Sequence, residues 1–336
     1  MTPVIQINPA HPEAQLIEQA GAIIRDGGLV AFPTETVYGL GADAMNEQAV
    51  ARIFVAKGRP ADNPLIVHVS HRRMLDQVAE GISEQAEALI ERYWPGPLTL
   101  VLKRRPEVAA SVSAGLPTVA VRMPNNAVAL ALIRAARTAI AAPSANRSGR
   151  PSPTTAAHVL ADLDGRIEMI LDGGATNIGI ESTVLDVTSR VPMILRPGWV
   201  TEAQIAAITG AVARAASSEA LQRSPGTRYR HYSPRARVVL VEHGSPAPLE
   251  AICKEHLKSA TVGFIGHTPL AITNANFQAM ILQADAAAYA GNIYAALREM
   301  DERGATVIII EGISDAGAGA AVMDRLRRAA SEIIGA

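Results

Sequence analysis

Apolar residues recur at helical spacing through His11 to Asp26, at Ala14, Ile17, Ala20, Ile23 and Ile24, and Gly27-Gly28 closes the pattern. A short apolar run, Leu29 to Phe32, follows and stops at Pro33, which predicts a buried strand ending there because proline cannot donate to a continuing ladder. Asn46 to Val55 reads as a second helix with Asn46 as its cap, and Lys57 to Pro64 as a loop. Leu65 to Ser70 alternates as a half-buried strand, with Leu65, Val67 and Val69 on one face and Ile66, His68 and Ser70 on the other. Further helices are expected at 71–79, 83–92, Ala127 to Ala136, about 154–162 and Thr201 to Thr209. Further strands are expected at Leu98 to Lys103, Val119 to Arg122, Ala139 to Ala142, 167–171 and 183–188. Strands and helices mix without strict alternation, so the pattern predicts an α/β domain with a mixed, twisted sheet.

The pattern changes after Gly210. An Ala/Ser-rich segment leads into Arg223-Ser-Pro-Gly-Thr-Arg-Tyr-Arg-His-Tyr-Ser-Pro-Arg-Ala-Arg237, where five arginines interleave with Tyr229, His231 and Tyr232. Beyond it, Val238–Val241, Thr261–Ile265, Met280–Gln283 and Thr306–Ile310 are short apolar runs, several separated by helical patterns, and Ala318 to Ile334 reads as a last helix. This alternation predicts a smaller Rossmann-like three-layer α/β/α domain. The expected division is 1–210, a linker at 211–236, and 237–336.

A length of 336 residues fits two cores, and 4% aromatic content leaves Ala, Val, Leu and Ile to fill them. A net charge of −1 supplies no global field toward nucleic acid or anionic membrane. Cys253, the single cysteine, excludes an intramolecular disulfide and a cysteine-based zinc site, and fits a reducing compartment. The first residues lack a charged leader with an apolar core, and no apolar run reaches about 18 residues, so the expectation is a cytosolic protein without a membrane partner.

Chemistry gathers where strands end. After Phe32, the residues Thr34, Glu35, Thr36 and Tyr38 set hydroxyls and a carboxylate among Gly39 and Gly41, which let a backbone turn sharply near a ligand; an ordinary capped turn is the competing reading. Lys57 and Arg59, two apart in a loop, form either a polyanion grip or a solvated basic loop. Ser144 and Asn146 follow a buried strand, as ligand contacts or as turn-formers. His68 is either a satisfied structural histidine or a ligand. Arg122 at the end of an apolar strand needs an anion, from the protein or from a substrate. Gly179-Ile-Glu-Ser-Thr-Val184 and Leu195-Arg-Pro-Gly198 put further polar groups beside breakers. No Gly-x-x-x-x-Gly-Lys-Ser/Thr occurs, and Gly317-Ala-Gly319 lacks the dinucleotide spacing, so it is read as structural.

Together these motifs resemble the YrdC/Sua5 family of threonylcarbamoyl-AMP synthases, Sua5 type. Phe32-Pro-Thr-Glu-Thr-Val-Tyr-Gly39 is similar to its opening motif, and Lys57-x-Arg59 with Ser144-x-Asn146 to its four-residue signature. Gly179 to Thr183, Leu195 to Gly198 and the linker Ser224 to Pro234 are similar to later motifs. The resemblance spans nearly the whole chain and implies a YrdC-like catalytic domain with a Sua5 C-terminal domain. It implies a nucleotidyltransferase that makes threonylcarbamoyl-AMP and pyrophosphate from L-threonine, bicarbonate or CO2, and ATP with Mg²⁺. The product would feed a threonylcarbamoyl transferase complex modifying adenosine 37 of tRNA, with direct RNA contact left open. Lys57 and Arg59 would act in catalysis. Thr36, His68, Arg122, Ala142 and Ser182 would hold threonine, while Lys57, Arg59, Asn63, Thr118, Ser144, Asn146, Ser152, Arg196 and Tyr232 would line the ATP site. The linker would act as a lid. It departs from the usual pattern at Thr227, where Met is commoner, and in using arginines for lysines.

A rival reading is a YrdC-like module that binds double-stranded RNA without turnover, which near-neutral charge and clustered hydroxyls disfavour. A hydrogenase-maturation carbamoyltransferase needs paired cysteines that this chain lacks. A structural scaffold leaves the polar loops at strand ends unexplained.

Overall fold

The structure, a computed structural model, describes residues 1–215, 217, 224, 232–245 and 248–335. The chain divides into two compact units. The first comprises Met1–Ser148, Ser152–Asn177 and Glu181–Arg228, and the second Gly149–Pro151, Ile178–Ile180 and Tyr229–Ala336.

The first unit starts with β1 (Val4–Gln6), α1 (Ala14–Arg25), β2 (Val30–Phe32), β3 (Gly39–Asp43), α2 (Glu47–Lys57), β4 (Ile66–His68), α3 (Arg72–Val78), β5 (Ala79–Glu80) and α4 (Glu84–Tyr93). It continues through β6 (Leu98–Arg104), β7 (Thr118–Arg122), α5 (Ala127–Ala136), β8 (Ile140–Ala141), α6 (Ala156–Leu163), β9 (Met169–Asp172), β10 (Thr183–Asp186), β11 (Met193–Arg196), α7 (Glu202–Thr209) and β12 (Ala213–Arg214). Local chemistry sets the helix starts. Asn46, Ser83, Asn126 and Thr155 accept backbone N–H bonds as N-caps, and Thr201 with Gln204 closes a capping box.

Among the described residues the sheet has twelve strands, in the order β1-β9-β2-β3-β8-β4-β7-β6-β10-β11-β12 with β5 on β6. Pairing is mixed: β4 runs parallel to β7 and β6 to β10, whereas β2–β3, β3–β8, β6–β7 and β10–β11 are antiparallel. Side chains alternate across this sheet. Val67, Val119, Val121, Leu98, Leu100, Leu102 and Leu185 point to one face and join the main core with residues of α1, α2, α4 and α5. Ile66, Val101, Ala120, Val184 and Leu195 form a separate small cluster, with Met193 and Ala215 packed on it.

Several expectations need correction. Gly39 and Gly41 do not make a sharp turn; they lie in β3, an unpredicted strand that pairs with β2 as Phe32↔Gly39 and Val30↔Gly41. A Cβ on Gly41 would come within 2.8 Å of both Phe32 and Ile140, so glycine serves close packing of ring and strand. Lys57 is the last residue of α2 rather than part of the loop, and Gly58 takes the left-handed C-cap at φ +62°. His68 is 4% exposed, because β4 is central and covered on both faces. The alternation of Leu65 to Ser70 therefore does not signal a solvent-facing side.

The second unit is a parallel sheet, order β15-β14-β16-β13-β17, with β13 (Arg237–Val241), β14 (Val262–Gly266), β15 (Phe277–Ile281), β16 (Val307–Glu311) and β17 (Glu332–Ile334). Its helices are α8 (Leu249–His256), α9 (Ala286–Glu302) and α10 (Gly319–Ala329). Val239, Val241, Val262, Phe264, Val307 and Ile309 face Cys253 of α8. Gly263, on the opposite face, lets Met300 of α9 approach within 2.7 Å of where a Cβ would stand. Helices thus cover both faces. The third strand starts three residues earlier and ends two residues earlier than its apolar run predicts, and the last helix stops at Ala329 because 332–334 pair as β17 beside β13. Most of the Arg/Tyr-rich linker lies outside the described residues.

Candidate active site

One row of side chains crosses the second face of the large sheet. His68 and Arg122 are ladder partners on β4 and β7, and alternation places Thr99 of β6 on the same face. Thr99 pairs with Val184 of β10, which pairs with Arg196 of β11. Ser182, just ahead of β10, bonds Thr99 through the two hydroxyls at 2.8 Å. Arg196 donates Nε and Nη2 to the Ser182 carbonyl at 3.2 and 3.0 Å, and Nη2 to its hydroxyl at 3.3 Å. His68, Thr99, Arg122, Ser182 and Arg196 are all buried, on a face otherwise lined by the small apolar cluster.

The turn after β2 meets this row at Arg122. Thr34 donates its hydroxyl to the Val37 carbonyl at 2.6 Å and accepts from the backbone N–H groups of Thr36 and Val37. Since the one hydroxyl proton of Thr34 is spent on Val37, the 2.9 Å contact between the two threonine hydroxyls has Thr36 as donor. Thr36 Oγ1 in turn accepts from Arg122 Nη1 at 2.9 Å, and Arg122 Nε donates to the Gly96 carbonyl at 3.1 Å. Arg122 Nη2 stands 2.6 Å from Glu35 Oε1, with the side chains 4% and 6% exposed. That contact is an ion pair without hydrogen-bond alignment: both Glu35 carboxylate oxygens and Arg122 Nη2 are buried without a hydrogen-bond partner. The anion expected for Arg122 is therefore, in this structure, a carboxylate of the protein.

His68 is held neutral. Burial first, and the Arg122 charge second, lower its pKa from 6.5 to about 3, while Nδ1 lies 3.2 Å from the Ile66 carbonyl. Between these values the unfolded chain binds a proton the folded chain refuses, so this contribution to stability is lost as pH falls from about 6.5 toward 3. His68→Gln should flatten that slope; urea midpoints at pH 7 and 4.5 that shift equally in variant and parent would refute the assignment.

The loop after β8 is pinned beside the turn. Leu40 N–H donates to the Pro143 carbonyl, Ala145 N–H to the Tyr38 carbonyl, and Gly39 bridges Ser144. Ala142 N–H donates to the Ile66 carbonyl at 2.8 Å, which sets that backbone beside β4. Ser144 Oγ donates to Asn146 Oδ1 at 2.5 Å. Lys57, 2% exposed, donates Nζ to the Ser144 carbonyl at 2.5 Å and to the Asn146 carbonyl. The structure thus joins the Lys-x-Arg and Ser-x-Asn segments through Lys57. Arg59 instead donates to its own loop, to the carbonyls of Asn63 at 3.3 Å and Pro64 at 3.0 Å. Ser152, fully buried, donates to Glu181 Oε1 at 2.5 Å.

Within the first unit one expected residue, Thr118, stands apart from this group. Thr118 shares the face of Arg122 but opens the same strand at its far end, where it lines a cavity of about 860 Å³ with Lys103, Ser83, Thr188 and Arg190. Tyr232 belongs to the second unit, where it stacks on Tyr294 at 5.4 Å between ring centroids and lies beneath the Arg325 guanidinium at 5.7 Å. Tyr38, named with the turn's hydroxyls, directs its OH to the Gly174 carbonyl at 2.7 Å; burial and Asp172 raise its pKa. Sequence reasoning named Glu35 among the polar groups of the turn and Glu181 within Gly179 to Val184 without giving either a role, and it passed over Thr99. The available signals were a carboxylate between two threonines at a buried turn, and a lone hydroxyl inside Leu98 to Val101.

Comparisons with known proteins identify the family. A family profile described as "Telomere recombination", covering Sua5, YciO and YrdC, matches residues 22–198. The profile of the threonylcarbamoyl-AMP synthase C-terminal domain matches residues 200–331. A threonylcarbamoyl-AMP synthase of Pyrococcus abyssi is 46% identical over 337 residues, covering 98% of both chains. One of Bacillus subtilis is 46% identical over 321 residues, covering 94% of this chain and 92% of its own. The crystal structure of P. abyssi Sua5 complexed with L-threonine matches with a TM-score of 0.93 and 45% identity over 100% of both chains. E. coli YciO matches with a TM-score of 0.54 and 26% identity, covering 58% of this chain and 95% of that one.

Proposed function

As the chain belongs to the YrdC/Sua5 family of threonylcarbamoyl-AMP synthases, we propose that its sheet-face site joins L-threonine, bicarbonate or CO2, and ATP into threonylcarbamoyl-AMP, releasing pyrophosphate. The observation that carries this reading is the buried row His68, Arg122, Thr99, Ser182 and Arg196, flanked by the Lys57-anchored loop.

Threonine would lie on the row. Arg122 offers the cation for its carboxylate, while Thr36, the Ser182 hydroxyl, neutral His68 and the Ala142 backbone surround the remaining polar atoms. Its ammonium first gives up a proton to solvent. The free amine nitrogen then bonds to the carbon of carbon dioxide while one C=O electron pair moves onto oxygen, and a second proton leaves to solvent, giving a carbamate. A carbamate oxygen then attacks the α-phosphorus of ATP, and the bond to the β-phosphate oxygen breaks with pyrophosphate as leaving group. Neither step needs a covalent enzyme intermediate, so positioning and charge compensation carry the acceleration. Lys57, Arg59 and Arg196 are the cations for the phosphates, with Asn63, Ser144, Asn146 and Ser152 as further ATP contacts. Thr118, at the other end of β7, and Tyr232, from the second unit, are contacts that the family resemblance alone adds.

Among the described residues no group of three or more His, Cys, Asp and Glu side chains could hold a metal ion. Mg²⁺ is proposed as part of the substrate, carried on ATP phosphates. No described helix is long and apolar enough to cross a membrane. We place the reaction in the cytosol, where a transferase complex acting on tRNA would consume the labile mixed anhydride.

The test is pyrophosphate release from ATP and Mg²⁺, with and without threonine and bicarbonate, using serine and glycine as controls. The expected result is release that needs both threonine and bicarbonate. Release independent of threonine, or none, overturns the proposal.

A further inference from the structure

We propose that Glu35 is a substrate-binding residue that receives the ammonium group of the amino acid, making Glu35 and Arg122 together a receptor for a zwitterion. The inference rests on the synthase reading above and adds a residue to it.

The ion pair is poorly satisfied as it stands. A buried carboxylate has about four lone-pair positions, and a buried unpaired polar atom is costly. Glu35 nevertheless has a hydrogen bond at neither oxygen, and Arg122 Nη2, only 2.6 Å away, has none either. Glu35 Oε2 is thus buried without a partner, and its Oε1 meets Arg122 Nη2 as an ion pair without hydrogen-bond alignment, at 6% and 4% side-chain exposure, beside the row that would hold threonine. The turn presenting them is fixed by the Thr34 hydroxyl, so the misalignment does not come from a slack backbone.

Other buried carboxylates of the first unit are engaged elsewhere. Glu181 accepts from Ser152, Asp186 from Thr188, and Asp162 from the Arg147 backbone. Glu35 is the one in contact with Arg122. A substrate bringing one positive and one negative group to this ion pair leaves the net charge of the site unchanged. The substrate carboxylate takes Arg122, the ammonium takes Glu35, and one internal pair becomes four alternating charges. A lone carboxylate ligand, by contrast, would place a second anion beside Glu35. The arrangement selects for ligands with both groups on one carbon.

The experiment uses the full chain with Glu35→Gln and Glu35→Asp, and two ligands. One is threonine; the other is its hydroxy-acid analogue, in which a hydroxyl replaces the α-amine. Binding of each is measured by calorimetry, alongside KM for threonine and for ATP, with thermal melts to show folding. For Glu35→Gln, threonine should bind about 10–100-fold more weakly, on the scale of a lost hydrogen bond to a charged group, with the analogue no weaker than in the parent and the ATP KM unchanged. Should Glu35→Gln fail to fold, Glu35→Asp decides: its withdrawn carboxylate should also weaken threonine selectively.

Equal weakening of both ligands would show that Glu35 only positions Arg122, and would overturn the proposal. Unchanged threonine binding would overturn it as well. A parent protein that binds no threonine fails at the earlier reading, and is recognised as such because the defect precedes any substitution.

Discussion

Arg122→Met lowers threonine-dependent turnover about 10²–10³-fold and lowers stability together. The guanidinium makes three contacts, with the Glu35 carboxylate, the Thr36 hydroxyl and the Gly96 carbonyl, so its loss strands the Glu35 charge in a dry site. Breaking a buried pair from one side costs about 3–5 kcal/mol, and loss of a buried charge-stabilising donor costs about 10²–10³-fold in rate. The two effects separate in a double variant. Adding Glu35→Gln to Arg122→Met removes the stranded charge and should recover most of the stability but none of the turnover. Urea midpoints and pyrophosphate release measure the two. A single variant as stable as the parent would show that the pair is solvated, and recovered turnover in the double variant would remove Arg122 from the site.

Lys57→Met is the second large effect. Methionine keeps much of the side-chain length at this 2% exposed position while deleting the charge and its donors. In the parent, Nζ donates to the carbonyls of Ser144 and Asn146, so the cation both fixes that loop and adds positive charge beside it. The expected outcome is a fall of about 10²–10³-fold in pyrophosphate release, with a stability loss of about 1–3 kcal/mol from the two orphaned carbonyls. Arginine is no substitute here, because a larger planar guanidinium would have to replace a compact ammonium at a 2% exposed position. Turnover within a few-fold of the parent, at unchanged stability, would limit Lys57 to a dispensable contact.

Much of this site is legible in the sequence. Lys57, Ser144 and Asn146 stand out as polar groups in segments bounded by buried strands or Gly/Pro turns, and the structure brings all three together. Arg122 was legible as a charge in need of an anion, but its partner was not, since Glu35 lies 87 residues earlier by subtraction of the two positions. The glycines of β3 misled for a related reason. Gly39 and Gly41 permit a turn, and only the approach of the Phe32 ring and Ile140 shows that here they permit close packing instead. His68 was read as half-buried because alternation reports which residues share a face, not what covers that face.

The sequence by itself determined the order of most elements, the capped helix starts, the mixed character of the large sheet and the family. Those properties rest on periodicity, turn chemistry and motif residues, which are local or repeated. Tertiary structure alone decided that five polar side chains from β4, β6, β7 and β11 and from the residue just ahead of β10 form one buried row, that Lys57 reaches the loop after β8, and that Glu35 meets Arg122. Each depends on strand register and on burial, and a one-residue slip in either would send the same side chains to the opposite face of the sheet.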